Sequence, residues 1–246
     1  MYTSDKTECC TSKIAIMTTN YPLISCICIT NNRSELLQKA IDCFKSQNYP
    51  NKELVISYPK KDISTKNMIQ NYRDLSILSI EREDTESLGN ARNHAIVKCK
   101  GEYVCIWDDD DWYHSSRLSF QFNSMQEKGQ GYQASILTRI LLYDTTSKQV
   151  YLSFPYPWEG TILCRKVILL QNQYKNTNIA EDSHVVRFLS SRNLLFQIDH
   201  VPFLYVYIYH GNNTWNYKHF ESFLTKSELI TGEDSEHILR LLDYLN

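Results

Sequence analysis

The stretch Gly101-Glu102-Tyr103-Val104-Cys105-Ile106-Trp107-Asp108-Asp109-Asp110-Asp111 decides how this chain is read. Tyr103 to Trp107 is a continuous apolar run, the pattern of a strand buried on both faces of a sheet. It ends abruptly in four consecutive aspartates. Strands disfavour Asp, and like charges side by side repel. A divalent cation can offset such a cluster. Hard cations such as Mg2+ and Mn2+ take carboxylate oxygens and keep positions open for phosphate. Asp108 and Asp110, alternate in sequence, suit one such ligand set. The competing reading is a solvated acidic turn in which Asp111 caps the next helix. The strand-end position and the flanking Trp107 and Trp112 weigh against it.

Upstream, Leu23 to Ile29 is a second buried-strand run, followed by the polar turn Thr30-Asn31-Asn32-Arg33. Leu36, Leu37, Ala40, Ile41 and Phe44 then fall at helical spacing. Asn32, with Glu35 three residues later, has the form of a capping box. Leu54-Val55-Ile56 gives a strand, Ile63 to Tyr72 a helix, Leu75 to Ile80 a strand and Leu88 to Lys98 a helix. The chain therefore opens in right-handed β-α-β crossovers. Ligands in such sheets sit at the carboxyl ends of the parallel strands, where Thr30 to Arg33 and the Asp run both lie.

Downstream the pattern changes. Ser116 to Glu127 reads as a helix. Ala134 to Tyr143 and Gln149 to Phe154 read as a hairpin around Asp144. Ile162 to Ile168 is apolar, Glu181 to Leu189 is helical, and Phe196 to Tyr209 is β-rich. Two amphipathic helices, Phe220 to Ile230 and Glu236 to Leu245, close the chain. Neither a repeat nor a linker interrupts it. The expected fold is α/β: a Rossmann-like, mostly parallel central sheet with helices on both faces, plus an antiparallel, loop-rich second half.

The composition narrows the class. The chain has 246 residues, with 26 basic and 28 acidic side chains and a net charge of −2, so nothing in the balance suggests a nucleic-acid partner. An apolar fraction of 42% supports a packed core. No stretch reaches the roughly 20 apolar residues of a membrane span, and residues 1–20 read as a polar leader rather than a signal peptide. The 8 cysteines never form C-x-x-C and several sit in strand runs, as buried reduced thiols of a cytoplasmic protein do.

At the level of motifs the chain resembles the family 2 glycosyltransferases, which have the GT-A fold. Residues 23–33 (LISCICITNNR) look like that family's first strand and nucleotide loop. Leu88-Gly89-Asn90-Ala91-Arg92-Asn93 looks like its G-x-A-R-N helix start, and residues 101–111 like its G-E-Y-hydrophobic-D-x-D-D strand. Tyr113-His114 and Arg117-Leu118 continue in the same way. Glu181-Asp182 resembles its E-D helix start, and residues 210–214 (HGNNT) a C-terminal segment seen in members. The pieces occur in family order over about residues 22 to 220.

The resemblance implies a single GT-A domain over residues 1–246. It has a nucleotide-sugar-binding half at 21–115, an acceptor-side half at 116–220 and C-terminal helices at 221–246. It implies an inverting transfer from a nucleotide-diphosphate sugar to an acceptor hydroxyl, assisted by Mn2+ or Mg2+. Asp110 would hold the metal with Asp108 helping, and His210 would be a further metal or phosphate contact. The metal would offset the charge of the leaving diphosphate. Asp182, with Glu181 beside it, would take the acceptor proton, because a hydroxyl is a poor nucleophile. The alternative for this acidic pair is a favourable interaction with a helix N-terminus.

Thr30, Asn32, Arg33, Arg92, Asn93, Asp108 and Asp109 would border the donor nucleotide, the helix start at Arg92 favouring a phosphate. Trp112 and the run Trp158-Glu159-Gly160-Thr161 would line the sugar or acceptor side. Ile29, Asn31 and Tyr58-Pro59 depart from the family pattern around the base, with Asp62 displaced. UDP is thus the first expectation, with GDP and dTDP open. The acceptor is a carbohydrate, a lipid-linked oligosaccharide (with peripheral membrane contact) or a small molecule, and the oligomeric state is open. The competing classes are a sugar nucleotidyltransferase, which lacks support in a first loop without Gly, and a non-catalytic nucleotide-sugar binder. A calcium module would need D-x-D-x-D-G spacing, which is absent.

Overall fold

The computed structural model describes residues 21–129 and 131–243. The expected leader 1–20 and the end of the last expected helix lie outside the described residues. The first half runs β1 (Ile24–Ile29), α1 (Ser34–Ser46), β2 (Lys52–Pro59), α2 (Ile63–Ile69), β3 (Ile77–Arg82), α3 (Leu88–Lys98) and β4 (Tyr103–Ile106). The second half runs β5 (Trp112–Tyr113), α4 (Arg117–Lys128), β6 (Ala134–Leu137), β7 (Leu141–Asp144), β8 (Gln149–Leu152), β9 (Leu163–Arg165), α5 (Lys166–Gln171) and α6 (Ser183–Ser191). It ends with β10 (Leu195–Ile198), β11 (Tyr205–Tyr209), α7 (Tyr217–Leu224), β12 (Glu228–Ile230) and α8 (Gly232–Asp243).

Seven strands form the central sheet in the order β10-β6-β9-β4-β1-β2-β3. β1 to β4 are mutually parallel, and β6 pairs parallel with β10. Only β9 opposes its neighbours, β4 and β6. Every residue of β1 and β4 is buried, which explains an apolar run unbroken in β4 and interrupted only by Ser25 in β1. Alternate residues serve opposite faces. Cys26 and Cys28 pack with Leu37, Ile41 and Phe44 of α1 and Leu118 and Phe122 of α4. Ile27 and Ile29 pack with Ala91 and Ala95 of α3, Leu169 of α5 and Val185 and Leu189 of α6. All six described cysteines that lie in these elements or beside them (Cys26, Cys28, Cys43, Cys99, Cys105, Cys164) are buried free thiols.

A second sheet, β12-β8-β7-β11-β5, leans on the first. It is mixed rather than antiparallel throughout: β11 is parallel to β7, and the remaining pairs are antiparallel. The expected long hairpin arm from Ala134 breaks at residues 138–140. Its first part, β6, joins the central sheet, and only β7 and β8 make the hairpin. Glu228 to Ile230, expected as the tail of a helix, is the edge strand β12 instead, and α7 ends at Leu224.

One local expectation fails for a physical reason, and so does the competing reading of the acidic run. Asn32 is not a helix cap: its φ is 54°, a left-handed conformation that Asn tolerates, and Arg33 takes the cap position without a side-chain bond. Asp111 caps nothing. It is 5% exposed, and it accepts the Tyr205 hydroxyl and, at 2.9 Å, the Ile208 backbone N–H of β11. The acidic run is therefore not a solvated turn.

Candidate active site

The carboxyl ends of β1 and β4 set the site. Four aspartates leave β4 in a tight turn, and each is engaged. Asp108 accepts Arg92 Nη2 at 3.0 Å. Asp109 accepts Arg33 Nη2 at 2.6 Å, and Asp110 accepts Arg33 Nη1 at 2.9 Å. One guanidinium fork thus spans two adjacent carboxylates. His210, just after β11, places Nε2 3.2 Å from Asp110 Oδ2. Asp111 turns away into the second sheet.

The partners explain the titration behaviour. Burial pushes the Asp109 carboxyl up to about 7, and the Asp110 charge beside it adds to the rise. Burial and Asp110 also raise Asp108, against the pull of Arg92. Burial opposes ionisation of Asp110 too, but the His210 hydrogen bond and the Arg33 charge outweigh it and hold that carboxyl below its usual range. Asp111 is driven well up by burial and by its acidic neighbours.

Arg92, one turn into α3, is the second hub. Its buried guanidinium holds Asp108, pairs with Glu181 and lies 3.6 Å from Asp182 Oδ2. Burial works against its charge, but the three surrounding carboxylates keep it firmly protonated. The start of α3 itself is not open to phosphate. Leu88 N–H donates to Asn178 Oδ1 at 2.8 Å, Gly89 N–H to Thr177 O at 3.1 Å, and the Ser87 hydroxyl to Asn176 Oδ1 at 2.7 Å. A Cβ on Gly89 would stand 1.7 Å from Lys175 O, so only glycine admits this contact. The helix start is spent on the loop that presents Glu181 and Asp182. Asn93 is spent likewise, donating to Tyr174 O at 2.8 Å and accepting Tyr174 N–H at 2.9 Å.

Thr30 is fully buried where β1 ends; its carbonyl accepts Arg82 Nη2 at 2.8 Å, and its side chain lies beside the Asp109 carboxylate. Asp62, displaced from the family position, is also engaged: it accepts Asn32 N–H at 2.9 Å and Thr65 N–H at 3.0 Å, capping α2. Trp158 and Gly160 lie at the site. A Cβ on Gly160 would meet Asp108 Oδ2 at 3.2 Å. Thr161 is buried inside that turn, its hydroxyl donating to Trp158 O at 2.6 Å and accepting Leu137 N–H at 2.9 Å. Trp112 sits on β5, half-buried, packed against the core on the α1 face of the central sheet and against the apolar cluster of the second sheet.

Three further residues belong to the constellation. Glu159 lies beside Asp182, and burial together with the Asp182 charge pushes its carboxyl up to about 7. Arg82 is buried behind Thr30. Arg117 is fully buried against Trp107, Tyr113 and Tyr205, with its charge centre 4.7 to 5.3 Å from their ring centroids, and it donates to Ile106 O and Gly160 O. Glu159 stands in the run Trp158-Glu159-Gly160-Thr161 and Arg117 in the Arg117-Leu118 motif; nothing local marks Arg82.

No three His, Cys, Asp or Glu side chains among the described residues converge as a preformed metal cage. The donor set nonetheless suits a hard cation. Mg2+-type sites commonly use one or two carboxylates and complete their shell with substrate phosphate and water. Asp108 and Asp110 are such carboxylates, and buried Asp109 Oδ2 has no hydrogen-bond partner.

Comparison with known proteins bears on the same residues. The family model for glycosyl transferase family 2 matches residues 25–192. A UDP-Glc:alpha-D-GlcNAc-diphosphoundecaprenol beta-1,3-glucosyltransferase, WfaP of Escherichia coli, is 27% identical over 104 residues, 42% of this chain and 41% of its own length. A GalNAc(5)-diNAcBac-PP-undecaprenol beta-1,3-glucosyltransferase of Campylobacter jejuni is 30% identical over 114 residues, 45% of this chain and 36% of its own. The chain thus matches about two fifths of the length of these curated relatives. Among solved structures, S. aureus TarS 1-349 in complex with UDP-GlcNAc superposes with a TM-score of 0.64 at 16% identity, over 90% of this chain and 66% of that one. The mannosyltransferase PcManGT of Pyrobaculum calidifontis, in complex with GDP-Man and Mn2+, gives 0.64 at 16%, over 85% and 63%. The fold shared with these structures is GT-A.

Proposed function

Since this chain belongs to glycosyl transferase family 2, we propose that it transfers a sugar from a nucleotide-diphosphate donor, UDP-linked in the first instance, to an acceptor hydroxyl with inversion. The observation that carries the reading is the placement of Asp182 across Arg92 from Asp108. A group able to take a proton thereby stands opposite the carboxylates that face the diphosphate.

Arg33 and Arg92 neutralise those carboxylates in the free protein and are placed to turn to phosphate oxygens when donor arrives. A divalent ion held by Asp108 and Asp110, with His210 beside Asp110, would offset the charge of the departing diphosphate. Asp182 accepts the proton of the attacking hydroxyl, and Glu181, locked to Arg92, fixes the start of α6 that carries it. One in-line displacement needs no covalent enzyme intermediate. The intact Asp108, Asp110 and Asp182 favour an enzyme over a non-catalytic binder. WfaP and the Campylobacter enzyme are named for lipid-diphosphate-linked acceptors, which supports a membrane-associated glycan as acceptor. No helix among the described residues is long and apolar enough to cross a membrane. Six free thiols support a reducing, cytoplasmic setting. We take the described residues as one catalytic domain.

The test is a thermal-shift panel of UDP, GDP and dTDP with and without Mn2+, followed by assay of nucleotide diphosphate release from the matching sugar donors. Stabilisation by UDP that deepens with Mn2+ is expected. A chain stabilised by none of the three nucleotides does not have this function.

A further inference from the structure

The catalytic reading leaves unused a row of aromatic rings at the mouth of the site. Trp215 stacks on His219, with centroids 3.9 Å apart and planes 17° from parallel. His219 meets Phe223 edge-on at 4.7 Å. Phe223 in turn lies 5.1 Å from Trp158 and 6.4 Å from Tyr156, which itself meets Trp158 at 5.4 Å. Trp158 is 8% exposed, whereas Tyr156 and Trp215 are each 36% exposed. A row built only for packing would bury its largest rings, since each such side chain carries some 150–250 Å2 of surface. Here the inner ring is buried and the two at the ends stand open.

Two points of the row connect to the donor carboxylates. Trp158 leads into the turn whose Gly160 rests against Asp108. Trp215 lies in the loop that starts at His210, the partner of Asp110. Tyr156 is near enough to Glu159 and Asp182 that their charges, after burial, raise its phenol above the ordinary range. From Tyr156, three residues before Glu159, the row runs through Phe223 and His219 to Trp215, three ring-to-ring steps that exceed the width of one pyranose. Rings bordered by carboxylates match a sugar, which offers an apolar C–H face and an edge of hydroxyl donors. A hydrocarbon tail has no use for the carboxylates.

We propose that Tyr156, Trp158, Phe223 and Trp215 form the docking platform for an oligosaccharide acceptor of at least two rings. The sugar bearing the attacking hydroxyl lies over Tyr156 beside Asp182, and the next extends toward Trp215. The inference rests on the transferase reading and adds to it the class and minimum length of the acceptor.

The experiment uses the full chain with UDP and Mn2+ on a glycan array of mono-, di- and longer saccharides, free and diphosphate-lipid-linked, with Tyr156→Ala, Trp215→Ala and Trp215→Phe compared with the parent. Trp215→Ala should weaken binding of disaccharides and longer glycans about tenfold, the scale of one lost aromatic contact, and spare monosaccharides. Trp215→Phe should restore most of the loss, and Tyr156→Ala should weaken both classes. UDP thermal shifts should stay at the parent level in all three. Failure of the parent to bind any oligosaccharide overturns the proposal, as do equal losses for mono- and oligosaccharides in Trp215→Ala. Phosphatidylglycerol vesicle binding that depends on Trp215, with glycan binding unchanged, would make the row a membrane anchor and also overturns it. Absence of a UDP shift in the parent sinks the donor reading instead, and the glycan result then stands by itself.

Discussion

Asp108 at the end of β4 and Glu181 ahead of α6 are held by a single guanidinium, that of Arg92. The bond joins the strand-end carboxylates to the loop that presents Asp182. Removing the cation leaves buried carboxylates without a counter-charge, a change that typically costs about 3–5 kcal/mol. Arg92→Ala should therefore lower the urea midpoint by that equivalent and abolish transfer. Arg92→Lys keeps one charge but loses the fork, so it should recover part of the stability and little of the activity. A parent-like midpoint in Arg92→Ala would show that the bridge does not hold the site together.

Asp110 is gripped by Arg33 and His210 together, whereas His210 touches the acidic run only through Asp110. The two should differ in weight. Asp110→Ala should remove the Mn2+-dependent part of nucleotide stabilisation and all measurable transfer. His210→Ala should retain both, weakened on the order of 10-fold, as losses of groups that orient a metal ligand commonly are. Equal loss in both variants would place His210 among the ligands themselves. Thermal shift with and without Mn2+ reads the difference.

Asp182 stands 3.6 Å from Arg92 and is free of any helix-capping bond of its own. Asp182→Asn keeps the shape and removes the base. UDP binding should persist while transfer falls by about 10²–10⁴-fold, the usual contribution of a positioned proton acceptor. Turnover close to the parent, measured under saturating donor, would remove the base assignment.

Gly160 is confined by contact rather than by backbone angle. A methyl there would meet Asp108 Oδ2 at 3.2 Å and the Tyr205 hydroxyl at 3.3 Å, both tight but both at side-chain ends that can shift. Gly160→Ala should cost only about 1 kcal/mol of stability, the low end of overpacking. It should raise the donor KM several-fold, because the atom displaced belongs to Asp108. A changed acceptor KM with donor KM intact would put the turn on the other side of the site.

Much of this was legible in the sequence wherever burial writes a pattern. β1, β2 and β4 are covered on both faces, so each carries an apolar run (Leu54 to Ile56 in β2), and α3 matches its expected bounds from Leu88 to Lys98. Elements decided by distant partners were not legible. β12 is an exposed edge strand with no apolar run of its own, and β6 leaves its expected hairpin because it has β9 and β10 to pair with. Around Arg92 the fold brings Asp108, Glu181 and Asp182 together from segments far apart in the chain. Asn93 and Thr161 do not face the site, because Tyr174 and the Trp158 turn claim them. The fate of Asp111 depends on Tyr205, too far along the chain for any local pattern to show. Glu159 was legible as part of an acceptor-side run, but its raised carboxyl comes from burial and from Asp182, which only the fold brings near.

Glu159 supplies the pH test. Burial and the Asp182 charge push its carboxyl from an ordinary 4.5 up to about 7. The folded chain therefore holds this proton more tightly than the unfolded chain does. Stability from the protonated group is fully present below about pH 4.5 and is lost as pH climbs through 7. Glu159→Gln keeps a neutral, hydrogen-bonding side chain at every pH. The variant and parent should melt at similar temperatures near pH 4.5, and the variant should pull ahead progressively up to pH 8. Melting curves across that range in the absence of nucleotide read the effect directly. A constant difference from pH 4.5 to 8 would mean that Glu159 is already ionised at low pH and does not share a confined space with Asp182.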